Sequence, residues 1–130
     1  MKIDYVLFIN CRSVPFVQKI MNREKIYETR TRDTLRSLVG KRVYLCETGK
    51  GISMVRCSAI ILNAFPVRSF HEWEMFRSYT CVPADSEYEW KPDTKVKWLY
   101  ELAGIRSCVP FHPAEGKRHG RVYMDFVGGN

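Results

Sequence analysis

Residues 22–32, NREKIYETRTR, hold the side chains of this sequence best suited to close-range chemistry. Cations (Arg23, Lys25, Arg30, Arg32), a central carboxylate (Glu28), two hydroxyls (Thr29, Thr31) and one aromatic ring (Tyr27) are interleaved there. A lysine near carboxylates and hydroxyls allows acid/base or acyl chemistry without specifying it. The same string also suits a solvated edge strand, whose lysines and arginines discourage edge-to-edge pairing. Both readings stand on the residues alone.

The charge distribution bears on which partners fit. The net charge is +7, and residues 18–42 carry eight cations against three acids, so most of the excess lies in one fifth of the chain. A smaller cluster, Lys117, Arg118 and His119 with Arg121, follows near the end. Concentrated positive charge attracts polyanions, of which nucleic acid is the commonest in a cytoplasm. An excess of this size fits a nucleotide or a short single strand better than a long duplex.

Other chemistry is excluded by what the motifs lack. There is no glycine-rich phosphate loop (Gly49-Lys50-Gly51 is too short and opens no helix), no HExxH and no GxSxG. His71, His112 and His119 have no ligand spacing. The five cysteines are odd in number and widely spaced, without CxxC, so neither a disulfide framework nor a zinc site is expected. No metal and no cofactor are expected, and a reducing cytoplasm is the simplest location. No apolar run approaches the roughly 20 residues of a membrane span. The opening MKIDYVLFIN reads as a first strand rather than a signal peptide.

The elements that must position the charged stretch read as an α+β mixture in a single domain, residues 1–130. Residues 3–9 form a nearly continuous apolar run of strand length. Ser13 is a candidate cap for a helix with Pro15 in its first turn and Val17, Ile20 and Met21 as its stripe. Residues 25–30 read as a strand, and residues 34–38 as a helical turn ended by Gly40. Residues 42–47 and 54–62 flank the glycine turn as a hairpin, with Val55, Cys57, Ala59 and Ile61 on one face. Ser69 and Glu72 form a capping box, followed by Phe70, Trp73 and Phe76 at helical spacing, more a core stripe than a stacking platform. Residues 80–92 read as a loop in which Tyr88 and Trp90 either plug the core edge or stack on a ligand. Asp93 then caps a helix with the stripe Val96, Leu99, Tyr100 and Ala103, ended by Gly104. Residues 105–109 are a strand candidate, residues 110–120 a polar loop, and residues 121–126 a closing strand. The expectation is about six strands and three helices, with the strands closed or nearly closed as a barrel.

The order of apolar helix, NREKIYETR, variable turn, VGKRVYL and hydrophobic strand resembles the ASCH domain, a PUA-like family. Lys25, Glu28 and Arg30 match in register the second lysine, glutamate and arginine of that family's Gly-Lys-Lys-Thr-x-Glu-x-Arg type motif. Asn22 stands near the motif's glycine, and Ile26 replaces its threonine. The segment DSEYEWKPDTKVKWLYEL is similar to the tyrosine-rich approach of many members. The resemblance runs from about Pro15 to Phe126.

It implies a PUA-like small β-barrel flanked by about three helices, with a cleft that binds single-stranded RNA or a modified nucleoside. Lys25, Arg30 and Arg32 would meet phosphate there, and Tyr27, Tyr88 or Trp90 would stack on a base. Glu28 would accept from an exocyclic amine, or else form an internal ion pair with Lys25 or Arg30. Some members resemble amidohydrolases of 4-acetylcytidine that use a lysine, a threonine two residues before the arginine, and a distant glutamate. Here Glu28 holds the threonine position and Thr29 is displaced by one, so Lys25, Glu28 and Thr29 are the catalytic candidates. Glu72, Glu74, Glu87 and Glu89 compete for the distant acid. A ribonuclease, and a protein-interaction module with an acidic partner, are the other readings.

Overall fold

A computed structural model of the chain describes residues 3–51, 53–113, 117–119 and 123–127. Strand β1 (Ile3–Asn10) is the apolar run read from the sequence, and Val6, Leu7, Phe8 and Ile9 are all buried. A run apolar on every residue belongs to a strand covered on both faces. Leu7 and Ile9 join the main core, while Val6 and Phe8 join a second small cluster with Cys46 and Val55. Helix α1 (Phe16–Met21), strand β2 (Tyr27–Arg30) and a 3₁₀ turn (Arg36–Leu38) follow. The hairpin of β3 (Arg42–Thr48) and β4 (Met54–Val67) is as expected, with Val55, Cys57, Ala59 and Ile61 fully buried. Gly49, at φ +86, makes the turn, where a Cβ would lie 2.7 Å from Asn10 Oδ1. Helices α2 (Phe70–Met75) and α3 (Arg77–Thr80), then strands β5 (Lys97–Phe111), β6 (Lys117–His119) and β7 (Tyr123–Val127), complete the order.

The seven strands form one sheet in the order β2-β5-β4-β3-β1-β7-β6. Among the described strands only β1 and β3 run parallel, and α1, β2 and the 3₁₀ turn lie between them in the chain. The class is α+β, as expected, but the sheet is open and only barrel-like. Its edge strand β2 is joined to β1 by a side chain rather than a ladder, because Arg30 Nη2 donates to Phe8 O at 2.9 Å. This seam between β2 and β1 is where the cleft forms.

Several expectations need correction. Residues 93–104 do not form a helix; most of them belong to β5, which pairs with β4 over its whole length and with β2 at Trp98–Glu101. The stripe misled because this strand lies between two others and buries both faces, so that Leu99 and Tyr100 are each 0% exposed although adjacent. Gly104 does take a positive φ of +57, as a bend inside β5, with Arg42 Nη1 donating to its carbonyl. The third helix is instead the short α3. Residues 110–111 extend β5 and residues 117–119 form β6, within the segment read as a loop. The closing strand lies at Tyr123–Val127, and Arg121 and Val122 fall outside the described residues. Ser13 does not cap α1, whose N-cap is Pro15; its hydroxyl donates to Glu87 Oε1. Ser69 does cap α2, accepting from Glu72 N at 3.1 Å. Of the aromatic stripe, Trp73 is fully buried and Phe70 is half exposed. Among the described residues no helix is long and apolar enough to cross a membrane.

Candidate functional site

The end of α1 determines where Lys25 points. Arg23 leaves the helix at φ +63, and the backbone folds back so that Glu24 N and Lys25 N both donate to Lys19 O. Lys25 is thereby turned inward and is 2% exposed. Its ammonium donates to Thr80 O at 2.7 Å, lies 3.6 Å from Glu28 Oε1 and sits over the Phe16 ring at 4.6 Å. Burial lowers its pKa from the ordinary 10.5, and the Glu28 carboxylate opposes that shift. Lys25 also lines a separate, largely apolar groove of about 340 Å³ between Ile20, Ile26 and the Leu102–Ile105 part of β5.

Along β2 the side chains alternate, Tyr27 and Thr29 against Glu28 and Arg30. Glu28 is buried and accepts from Arg30 Nη2 at 2.8 Å. That nitrogen also makes the bond to Phe8 O, so a single guanidinium orders the carboxylate and holds the seam. Arg30 Nε is buried without a partner among the described residues. Tyr27 points the other way, into an aromatic cluster with Phe65 and Phe76 at 5.7 and 5.5 Å between ring centroids.

Two adjoining lobes open at the seam and share Thr29, Arg30 and Tyr88 as their common wall. Because β2 is an edge strand, side chains from both its faces border the opening. The inner lobe, about 90 Å³, is completed by Ile9, Asn10, Phe16 and Glu28. The outer lobe, about 170 Å³, is completed by Thr31 and by the segment that carries Glu87, Glu89, Lys91, Thr94 and Lys97. Tyr88 is half-buried with its ring edge-on to Phe16 at 5.5 Å, and burial raises its phenol above the ordinary 10.0. Lys97 is 6% exposed; its ammonium donates to Tyr88 O and lies over the Trp73 ring at 4.9 Å. Burial lowers its pKa as well, against a pull upward from Glu89.

The fold therefore brings Glu28, Thr29, Arg30 and Tyr88 into one cleft. The Lys25 ammonium faces inward behind Glu28, and Lys25 lines neither lobe. Arg32 is exposed outside both lobes, and its carbonyl accepts from Tyr100 OH. Trp90 packs on Trp73 at 6.2 Å and also lines neither lobe. Of the four candidate acids, Glu87 and Glu89 border the outer lobe, Glu72 serves the α2 cap and Glu74 pairs with Arg77. Sequence reasoning missed Lys97 as a cleft residue. Its alternation with Leu99 on a strand would have revealed it, had residues 93–104 not been read as a helix. Among the described residues no group of histidines, cysteines and acids could hold a metal ion, and all five cysteines are free thiols.

The open, barrel-like sheet of this chain is shared by solved structures. The chain is similar to crystal structures of an ASCH protein from Zymomonas mobilis. The likeness to that protein has a TM-score of 0.69 at 15% identity, covering 84% of this chain and 73% of that one. A serine-to-alanine variant of it gives 0.69 at 16% identity over the same shares. A tyrosine-to-phenylalanine variant gives 0.68 at 16%, covering 84% of this chain and 75% of that one. The fold is ASCH-like. No protein-family model matches the sequence, and no curated protein does either.

Proposed function

We propose that the seam cleft binds a nucleoside unit, free and modified or within single-stranded RNA, with its base in the inner lobe. The observation that carries this reading is the pairing of a fixed carboxylate, Glu28, with an aromatic wall, Tyr88, in one small lobe. A carboxylate has about four lone-pair sites, and the ion pairs to Lys25 and Arg30 leave room for a further donor. A base that presents an exocyclic N–H, such as cytosine, supplies one; uracil supplies an acceptor there and is repelled. Each lobe is smaller than the roughly 300 Å³ at which pockets for drug-sized ligands begin. That scale fits one nucleoside unit, not a longer duplex site.

Hydrolysis of an acylated nucleoside or of RNA is the second reading. It is favoured by Glu28 and Thr29 lining the same lobe, so that a hydroxyl or a carboxylate-activated water could reach an acyl group. Against it, the Lys25 ammonium already bonds to Thr80 O, and Lys25 lines neither lobe.

The test is titration of the protein with cytidine, uridine and 4-acetylcytidine, followed by NMR, with product analysis of the 4-acetylcytidine sample. Cytidine should bind at least about tenfold more tightly than uridine, and Glu28→Gln should erase that preference. Equal affinity for the two in wild type would overturn the base assignment. Release of acetate would favour the hydrolytic reading.

A further inference from the structure

Beyond the base lobe, the wall formed by Lys91, Thr94 and Lys97 has a chemistry of its own. An ammonium has three donors. Lys97 uses one on Tyr88 O and turns its charge over the Trp73 ring, while bordering the outer lobe from a nearly buried position. Its acidic neighbour Glu89 is already engaged by Arg77, by Trp73 Nε1 and by Trp90 N. Thr94 Oγ1 accepts from Lys91 N at 2.9 Å, a bond that takes its lone pair and not its proton. Thr94 N also donates to Lys91 O, so the two residues are held in one turn. Thr29 and Thr31 also line this lobe. Arg30 is balanced by Glu28, and Glu87, which accepts from Ser13, is the remaining acid. Lys91 and Lys97 thus leave the outer lobe with positive charge and hydroxyl donors, the chemistry that recognises a phosphate oxyanion.

We propose that the outer lobe is a phosphate subsite, with Lys97 and Lys91 as its cationic donors and Thr94 as its hydroxyl donor. The ligand is then a nucleotide, not a bare nucleoside. This rests on the nucleoside reading of the inner lobe and deepens it, moving the phosphate contact from Lys25 and Arg32 to the start of β5 and the segment that leads into it. The phosphate comes from a free mononucleotide or from the backbone of a single strand, and the two arms below separate those sources.

Isothermal titration of the full chain with cytidine, cytidine 5′- and 3′-monophosphate, a cytidine trinucleotide and inorganic phosphate tests it. At least one monophosphate should bind about tenfold or more tightly than cytidine, the gain of a charge-assisted bond. Lys97→Met should bring the ratio of monophosphate to cytidine affinity toward one. Lys91→Ala, on an exposed side chain that the fold does not need, should lower it several-fold. A trinucleotide that binds more tightly than either monophosphate identifies the RNA backbone as the source; equal affinity identifies the mononucleotide. If cytidine binds and phosphate adds nothing, or if both variants keep the wild-type ratio, the subsite is wrong and the base lobe stands. If monophosphates bind in a Lys97-dependent way and cytidine does not, the subsite stands and the base reading falls. If none of the ligands binds, both fall.

Discussion

Lys25 and Lys97 have nearly the same surroundings and different positions relative to the cleft. Each is almost fully buried, donates to a backbone carbonyl (Thr80 O, Tyr88 O), lies over an aromatic ring (Phe16, Trp73) and has its pKa lowered by burial. They differ in the nearest acid. Glu28 lies 3.6 Å from Lys25 and closes a Lys25–Glu28–Arg30 network, whereas Glu89 beside Lys97 is taken by Arg77 and Trp73. Lys25 is therefore committed to the carboxylate, and Lys97 borders the opening. A buried lysine is assigned a role by what competes for its protons and by which space it borders, and motif position alone does not determine either.

The largest expected effect breaks the Lys25 side of this comparison. Lys25→Met leaves Glu28 buried with one cation instead of two and Thr80 O without its donor. Removing one member of a buried ionic network costs on the order of 3 kcal/mol, read as a lower urea midpoint. A lysine at the mouth of a cleft, as the sequence implies, would lose far less on truncation. The double variant Lys25→Met with Glu28→Gln should recover part of the loss, because replacing both charges is much less costly than stranding one. An unchanged midpoint in the single variant would mean that the ammonium is not committed to the fold.

Next in size is Arg30, which joins the two sides of the seam. Arg30→Ala removes the bonds to Glu28 and to Phe8 O, so β2 loses its tie to β1. The expected cost is about 2 kcal/mol of stability, with hydrogen exchange at residues 27–30 rising ahead of the rest of the sheet. If exchange there stays at the wild-type level, the seam is held by something other than this guanidinium. Loss of binding in this variant would follow from an opened cleft and not from a missing phosphate contact.

What was legible in the sequence follows from how much of each element one face explains. Strand β1 is a nearly continuous apolar run, the β3–β4 hairpin alternates cleanly around Gly49-Lys50-Gly51, and Ser69 with Glu72 marks the start of α2; each reads correctly from local pattern. Strand β5 does not, because it is flanked by β2 and β4 and buries Leu99 and Tyr100 on opposite faces, which imitates a helical stripe. Misreading it hid Lys97. The stretch with Lys25, Glu28 and Arg30 was visible as charge, but the inward turn of Lys25 depends on the left-handed Arg23, and no periodicity in the sequence encodes that. Arg32 lies beyond the last residue of β2, so strand alternation gave no guide to its direction.

The smallest effect sharpens the Lys97 side and concerns alkaline pH. The folded pKa of Lys97 lies below its ordinary 10.5. Between those two values the unfolded chain holds more protons at this position than the folded one, so stability rises with pH across that window. Lys97→Met has no such contribution. The stability of wild type relative to Lys97→Met should therefore shift in favour of wild type as the pH rises toward 10.5, measured as the difference in urea midpoints. Glu89 and Lys91 act on the ammonium, and Tyr88 O accepts from it. Tyr88, whose phenol is held above its ordinary value, acts with the opposite sign and loses stability as pH rises. It is present in both proteins, so its effect cancels in the difference. The same experiment on Lys25→Met should show the same sign, because burial outweighs the opposing pull of Glu28 there. A flat difference at Lys97 with a slope at Lys25 would mean that water reaches the Lys97 ammonium freely. The two lysines would then differ in burial as well as in partner, and the outer lobe would be an open surface instead of a formed subsite.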